Sequence, residues 1–140
     1  MATAKSASRQ PSKDAPIRKE SQSILDTLLK DTPSVVFVSV STVDGNSFAH
    51  ASSRKEIDSQ RLAAITSSLL ALSETLSHET LKGKCSYNAI STDFGSIITV
   101  RVPSKRNIFT LSLCADKSEN MAMAMRTAFD TADKLSGVLS

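Results

Sequence analysis

Tryptophan is absent and tyrosine occurs once, so aromatic residues make up only 4% of the chain. The interior must therefore be built from Val, Ile, Leu, Ala and Met. A protein that stacks single-stranded bases needs aromatic platforms beside a basic stripe on an ordered element, and neither is present. Charge of one sign is also lacking: 17 Lys and Arg stand against 14 Asp and Glu. Part of the excess lies in the first fifteen residues, where Lys5, Arg9 and Lys13 face only Asp14. Nucleic-acid binding is accordingly not expected. Cysteine occurs twice, at Cys85 and Cys114, without CxxC spacing or a neighbouring histidine cluster, which leaves zinc and redox motifs unsupported. The four glycines never gather into a phosphate-cradling loop, and no GxSxG is present. No apolar run approaches the roughly 18 residues of a membrane span, and the N-terminus lacks a secretory apolar stretch. A cytoplasmic protein without membrane insertion is the expectation, an organellar transit peptide being the lesser reading of the acid-poor start.

What is present suits a single core: a chain of 140 residues removes roughly 70% of its unfolded surface from water. Residues 1–15, MATAKSASRQPSKDA, are small, polar and proline-punctuated, and are read as a disordered basic arm before a domain spanning 16–140. From Pro16, which suits a first helical position, Ile17, Ser21, Ile24, Leu25 and Leu28 recur at helical spacing until Pro33. Residues 34–42, SVVFVSVST, are β-branched on both alternating sets, as in a strand covered on both faces. Asp44 and Gly45 then supply a hairpin turn, with a return strand over 47–51. A helical pattern follows over 59–81 and stops at Gly83, a plausible left-handed cap. Turn signals at 93–95 and 103–107 split the next stretch into strands at 84–91, 96–102 and 108–115. In the last helix Asp116 is the expected N-cap, with Glu119 three residues on, and Met121, Met125, Ala128, Phe129, Ala132 and Leu135 form the apolar stripe. The order is α–ββ–α–βββ–α, and no internal repeat interrupts it.

The second helix is the most informative element. Twelve consecutive residues, from Leu62 to Ser73, carry no charge. At about 100° per residue, Leu62, Ile65, Leu69, Leu72 and Leu76 form one stripe, expected to lie on the sheet. Beside it run Ala64, Ser68, Ala71 and Thr75, and on the other flank Ala63, Thr66, Leu70 and Ser73. A helix side facing water ordinarily carries Lys, Glu or Arg. Small residues at this spacing let two backbones approach closely, and a two-fold axis is the commonest way for a short protein to cover such a face. Helix-against-helix homodimerisation through the small-residue stripe is therefore expected, the polar side with Gln60, Ser67, Glu74 and His78 being left for water or another protein. The alternative is a monomer in which Ser and Thr merely replace charges.

Candidate chemistry is sparse. His50 on the hairpin and His78 on the second helix have no nucleophile at a telling spacing. Asp44, Asp93 and Asp116 stand at turns and a cap, where local hydrogen bonding accounts for them. Met121, Met123 and Met125 point in different directions on one helix, as core filler does. No catalytic residue, cofactor site or metal site is expected, and the chain is read as a non-enzyme.

Four features together carry a resemblance: the apolar first strand ending at Val43-Asp44-Gly45, the helix LAAITSSLLALSETL at 62–76, the strand FTLSLCAD at 109–116, and the final helix. On these, residues 24–139 resemble the Roadblock family of dynein light chains and their bacterial relatives. The resemblance implies an α/β (α+β) sandwich of profilin-like shape, a five-stranded antiparallel sheet with helices on both faces. It implies dimerisation through the second helix and the strand at 84–91, giving a ten-stranded sheet with Tyr87 and Ala89 near the seam. Family members bind Ras-like small GTPases or motor and signalling assemblies, and a bacterial branch stimulates a polarity or motility GTPase. A homodimeric, non-catalytic adaptor or regulator of a small GTPase is thus the expected function. Arg54, Lys55 and Glu56, with Gln60, Ser67 and Glu74, are the candidate partner-binding residues. The basic arm and Met-rich last helix depart from the bacterial pattern. A small-molecule-sensing module of PAS, GAF or profilin-like shape is the alternative, and it requires a pocket with convergent polar groups.

Overall fold

The computed structural model describes residues 11–105 and 108–140, with side chains from Ala15 onward. In chain order the elements are α1 (Pro11–Asp31), β1 (Val35–Thr42), β2 (Ser47–Ser52), α2 (Ser59–Thr80), β3 (Tyr87–Thr92), β4 (Gly95–Arg101), β5 (Phe109–Asp116) and α3 (Met121–Leu139). All five strands join one antiparallel sheet in the order β2-β1-β5-β4-β3. The expected order of elements and five-stranded sheet are both observed.

The boundaries move by small amounts, for local reasons. Helix α1 begins at Pro11 rather than Pro16, since proline at a first helical position forfeits no intrahelical bond, and Pro16 is carried inside. Residues 1–10 of the expected arm lie outside the described residues. The expected cap at Gly83 is corrected: α2 ends at Thr80 with Leu81 as its cap, and Lys82 takes the left-handed conformation with φ 60°. The expected N-cap of α3 is also corrected. Asn120 caps it by accepting from Met123 N at 2.8 Å, while Asp116 accepts from the backbone N–H and hydroxyl of Ser118 and closes the preceding turn.

The sheet's two faces differ in chemistry. On one, Val38, Val40, Ala49, Ala51, Ile98, Val100, Leu111, Leu113 and Ala115 are buried with Leu25 of α1 and Ala124, Ala128, Ala132 and Leu135 of α3. Ile17, Ile24, Leu28, Met121, Met125 and Phe129 complete this aliphatic core, as their spacing predicted. The strand register places Ser39, Ser41, Thr99, Thr110 and Ser112 on the other face, and all five are buried. Thr99 and Ser112 share a hydrogen bond there at 3.3 Å. Helix α2 lies over this hydroxyl-rich face, against β1 and β2.

Gly95 opens β4 at φ 149°, and a Cβ there would come within 2.0 Å of the Ala115 carbonyl oxygen on β5. Relief requires the two strands to part, because the obstacle is backbone. Gly95→Ala is expected to cost more than about 2 kcal/mol, read as a lower midpoint in urea unfolding. Gly45→Ala has a milder contact, 3.5 Å from Ala64 Cα on α2, and is expected to cost less.

Candidate dimerisation and partner-binding surface

Helix α2 starts at Asp58, whose carboxylate accepts from Gln60 N and Arg61 N, both at 3.1 Å. From there the helix is anchored by polar contacts to one end of the sheet. Gln60 donates to the Gly45 carbonyl at 3.1 Å and accepts from Ser47 N at 3.0 Å, which fixes it to the β1–β2 turn. Ser67 Oγ donates to the Val43 carbonyl at 2.5 Å, and Ser73 Oγ donates to Asn88 Oδ1 on β3 at 3.0 Å. Glu74 accepts from Arg101 Nη2 of β4 at 2.8 Å in a half-exposed ion pair. Only Ala63 and Leu70 of α2 are fully buried.

This arrangement corrects the expected rotation of the helix. The Leu stripe was expected on the sheet, but Ile65, Leu72 and Leu76 are 52%, 69% and 65% exposed, and Leu62 and Leu69 are only partly covered. Ala63, Thr66, Leu70 and Ser73, read as a flank, face the sheet instead. What fixes the rotation is the set of polar contacts at the sheet end, because Gln60, Ser67, Ser73 and Glu74 bond the β1–β2 turn, Asn88 and Arg101, and so turn their side of the helix inward. The strand register sets Phe37, Ile97 and Cys114 on this face of the sheet with the hydroxyls. Gln60, Ser67 and Glu74, expected to be free for a partner, are engaged within the chain. His78 is exposed, as is His50.

The small-residue stripe is outward. Ala64, Ser68, Ala71 and Thr75 are all exposed, directly beside Ile65, Leu72 and Leu76. Arg54, Lys55 and Glu56 are exposed in the segment between β2 and α2, where Ser52 Oγ accepts from Arg54 N at 2.9 Å. On β3, Tyr87 and Ala89 point to the α3 side. The Tyr87 ring meets Phe129 edge-on at 5.4 Å between centroids. The β3 residues on the α2 side are Asn88, Ile90 and Thr92, and Ile90 is 38% exposed. Ile90 and the outward leucines are thus apolar surface residues that the sequence pattern did not single out. The signal was available in the alternation of Ser39 and Ser41 in β1 with Thr110 and Ser112 in β5.

Electrostatics at this surface are local. The Arg101 guanidinium, then the Cys85 backbone, holds the Glu74 carboxyl below its ordinary range. Thr42 and Asn46 lower Asp44 in the hairpin turn, and Ser118 lowers Asp116. Both cysteines are free thiols, and burial pushes Cys114 up to about 11 despite nearby Arg54. Among the described residues no group of three His, Cys, Asp or Glu side chains is placed to hold a metal ion, and no helix is long and apolar enough to cross a membrane. A shallow cleft of about 160 Å³ lies between α2 and the sheet end, lined by Val43, Ser67, Leu70, Ala71 and Arg101.

The same arrangement of sheet and helices occurs in known proteins. MglB of Myxococcus xanthus superposes with a TM-score of 0.76 over 86% of this chain and 88% of its own, at 16% identity. A Roadblock/LC7 domain from Streptomyces avermitilis gives 0.72 over 84% and 96%, at 13% identity. The fold is Roadblock-like. Profilin IA of Acanthamoeba castellanii aligns more loosely, at 0.57 over 83% and 96% with 17% identity, which places the Roadblock-like sheet in the wider profilin shape. No family model matches the sequence, and no curated protein matches it at the sequence level.

Because Glu74 is held at a lowered pKa in the folded chain, its ion pair stabilises fully above the ordinary carboxyl pKa and loses that contribution as the pH falls through the lowered one. Glu74→Gln is therefore expected to lower the melting temperature at pH 7, with the gap from wild type closing below about pH 4. Melting curves across that range check it. A gap unchanged with pH would mean that the pair does not anchor α2.

Proposed function

We propose that this chain is a homodimeric, non-catalytic adaptor that binds and regulates a Ras-like small GTPase, by stimulating its hydrolysis or by carrying it into a signalling or motility assembly. The observation that carries the reading is the outward apolar side of α2, where Ile65, Leu72 and Leu76 stand beside the small residues Ala64, Ser68, Ala71 and Thr75. Leucines exposed to this degree, in a row with almost no charge, form a contiguous patch of the kind that marks a protein contact. In the proposed dimer the two α2 helices pack through the small residues with the leucines interleaved between them. Next to them β3 of each copy, with Ile90 on the same side and Tyr87 and Ala89 on the other, is the sheet edge through which the two sheets join.

The GTPase part of the reading rests on the resemblance of residues 24–139 to the Roadblock family and on the MglB-like fold. The partner surface then lies on the exposed rim of the helix pair, with Arg54, Lys55 and Glu56 beside it. Gln60, Ser67 and Glu74 serve this surface indirectly, by holding α2 in place.

Replacing Ala64 and Ala71 together with Glu sets carboxylates against each other across the two-fold axis. Both positions are exposed in the single chain, so folding is expected to survive while the dimer dissociation constant rises about tenfold or more. Sedimentation of wild type and variant at micromolar concentration reads this out, and a monomeric wild type would sink the dimer. For the partner, pull-down with GTP-loaded and GDP-loaded small GTPases of the source organism is expected to capture one nucleotide state preferentially. Equal and negligible capture counts against the GTPase reading. In that event a saturable thermal shift with a nucleotide or metabolite would favour the ligand-sensing module.

A further inference from the structure

A five-stranded open sheet has two edges, here β2 and β3, and each presents main-chain N–H and C=O groups that another strand can take up. Proteins commonly protect such edges with lysine or proline within the strand. Neither edge strand here does so: β2 reads SFAHAS and β3 reads YNAIST. The two are nevertheless unlike. On β2 the carbonyl of Phe48 and both main-chain groups of His50 are taken by side chains of α1. His50 N donates to Gln22 Oε1 at 3.2 Å, and Gln22 Nε2 donates to the His50 carbonyl at 2.5 Å. Arg18 Nη1 donates to the Phe48 carbonyl at 2.7 Å, with its guanidinium 4.4 Å from the centre of the Phe48 ring. Gln22 Nε2 also donates to Asp26 Oδ1 at 3.0 Å, one turn along α1, which steadies the amide.

A primary amide carries an acceptor and two donors, and its oxygen with one N–H offers the pair that the C=O and N–H of a single residue in a neighbouring strand would offer, the second N–H being left for Asp26. Gln22 thus stands where one residue of a sixth strand would stand. On β3, among the described residues, no side chain meets the main chain of Ala89, Ile90 or Ser91 in this way, and the Cys85 thiol reaches only the Tyr87 carbonyl at 3.6 Å. One edge is latched and the other is open.

We propose that Gln22, seconded by Arg18, closes the β2 edge against strand addition by a further copy of this chain, so that assembly is confined to the β3 edge and stops at a pair. The stopping point rests on the dimer reading above; the latch does not. Without it, each copy has two uncharged, proline-free edges, and pairing at both generates an open-ended sheet rather than a closed dimer. The occupant is a second copy because the same substitution frees the same strand in every molecule, so an antiparallel β2–β2 pairing across a two-fold axis becomes available at once, while the cleft beside the edge, lined by Arg18, Ser47 and Phe48 among others, measures only about 190 Å³. The Phe48 ring at this edge is already packed on Phe109 at 5.0 Å and covered by Arg18.

The test uses the full chain carrying Arg18→Ala and Gln22→Ala. Helix α1 remains seated through Ser21 and Leu25, both 0% exposed, so the substitutions strip the edge without removing the core contacts. Sedimentation is expected to give a weight-average mass at least about twofold above wild type at high micromolar concentration, rising with concentration. Adding His50→Pro removes the outward N–H without touching the ladder to β1 and is expected to return the mass to that of wild type. Rescue by proline separates edge pairing from aggregation of a misfolded chain, which a further substitution would not cure. A double variant that keeps the wild-type mass throughout overturns the latch, as does a larger mass that proline leaves unchanged. A monomeric wild type whose double variant self-associates and is rescued by proline would retain the latch and reject only the dimer.

Discussion

The polarity of one sheet face governs how the rest of this molecule is arranged. Five strands bury aliphatic side chains on the side covered by α1 and α3, and that side behaves as an ordinary core. On the other side Ser39, Ser41, Thr99, Thr110 and Ser112 place buried hydroxyls beneath α2. Thr99 and Ser112 bond each other, while the Thr110 hydroxyl is buried without a partner among the described residues, at a cost of about 1–3 kcal/mol. The helix meets the sheet end through Gln60, Ser67, Ser73 and Glu74, which bond the β1–β2 turn, Asn88 and Arg101, and its leucines are left outside.

A helix held in this way leaves apolar side chains uncovered in the single chain. Its attachment is specific in geometry but modest in area, since only Ala63 and Leu70 are fully buried. Covering Ile65, Leu72 and Leu76 would add the hydrophobic contribution that the sheet face does not supply. The polar clasp and the outward apolar row are two consequences of one choice of residues on β1, β4 and β5. The sheet edges follow a similar logic, because α1 sits close enough to β2 to satisfy its main chain, while α2 crosses at the sheet end and leaves the middle of β3 free.

Much of the fold could be read from pattern. The helical spacing of Ile17 to Leu28 and of Met121 to Leu135, the Asp44-Gly45 turn and the three-strand meander follow from local preference, and a sheet with helices on both faces is the compact way to combine them. The misjudged details lay where local signals compete. Gly83 and Asp116 have the right chemistry for caps, but Lys82 and Asn120 occupy the positions that the chain path made available. Pro16 has the right chemistry for a helix start, and Pro11 has it equally. Low identity to MglB and to Roadblock/LC7 domains alongside close superposition fits this, since packing patterns tolerate exchange among aliphatic residues.

The surface was legible only in part. By itself the sequence determined that α2 has an uncharged stretch from Leu62 to Ser73, because charge is a property of each residue and needs no partner to be counted. It also determined that Ala64, Ser68, Ala71 and Thr75 share one side, because helical periodicity is local. Which side of α2 faces the sheet was decided by the tertiary structure alone. That outcome depends on strand register, which sets Ser39, Thr99 and Ser112 side by side, and register joins residues far apart in the chain. The same long-range pairing put Gln22 on the main chain of His50 and left β3 as the open edge, a distinction that no inspection of SFAHAS and YNAIST separately contains.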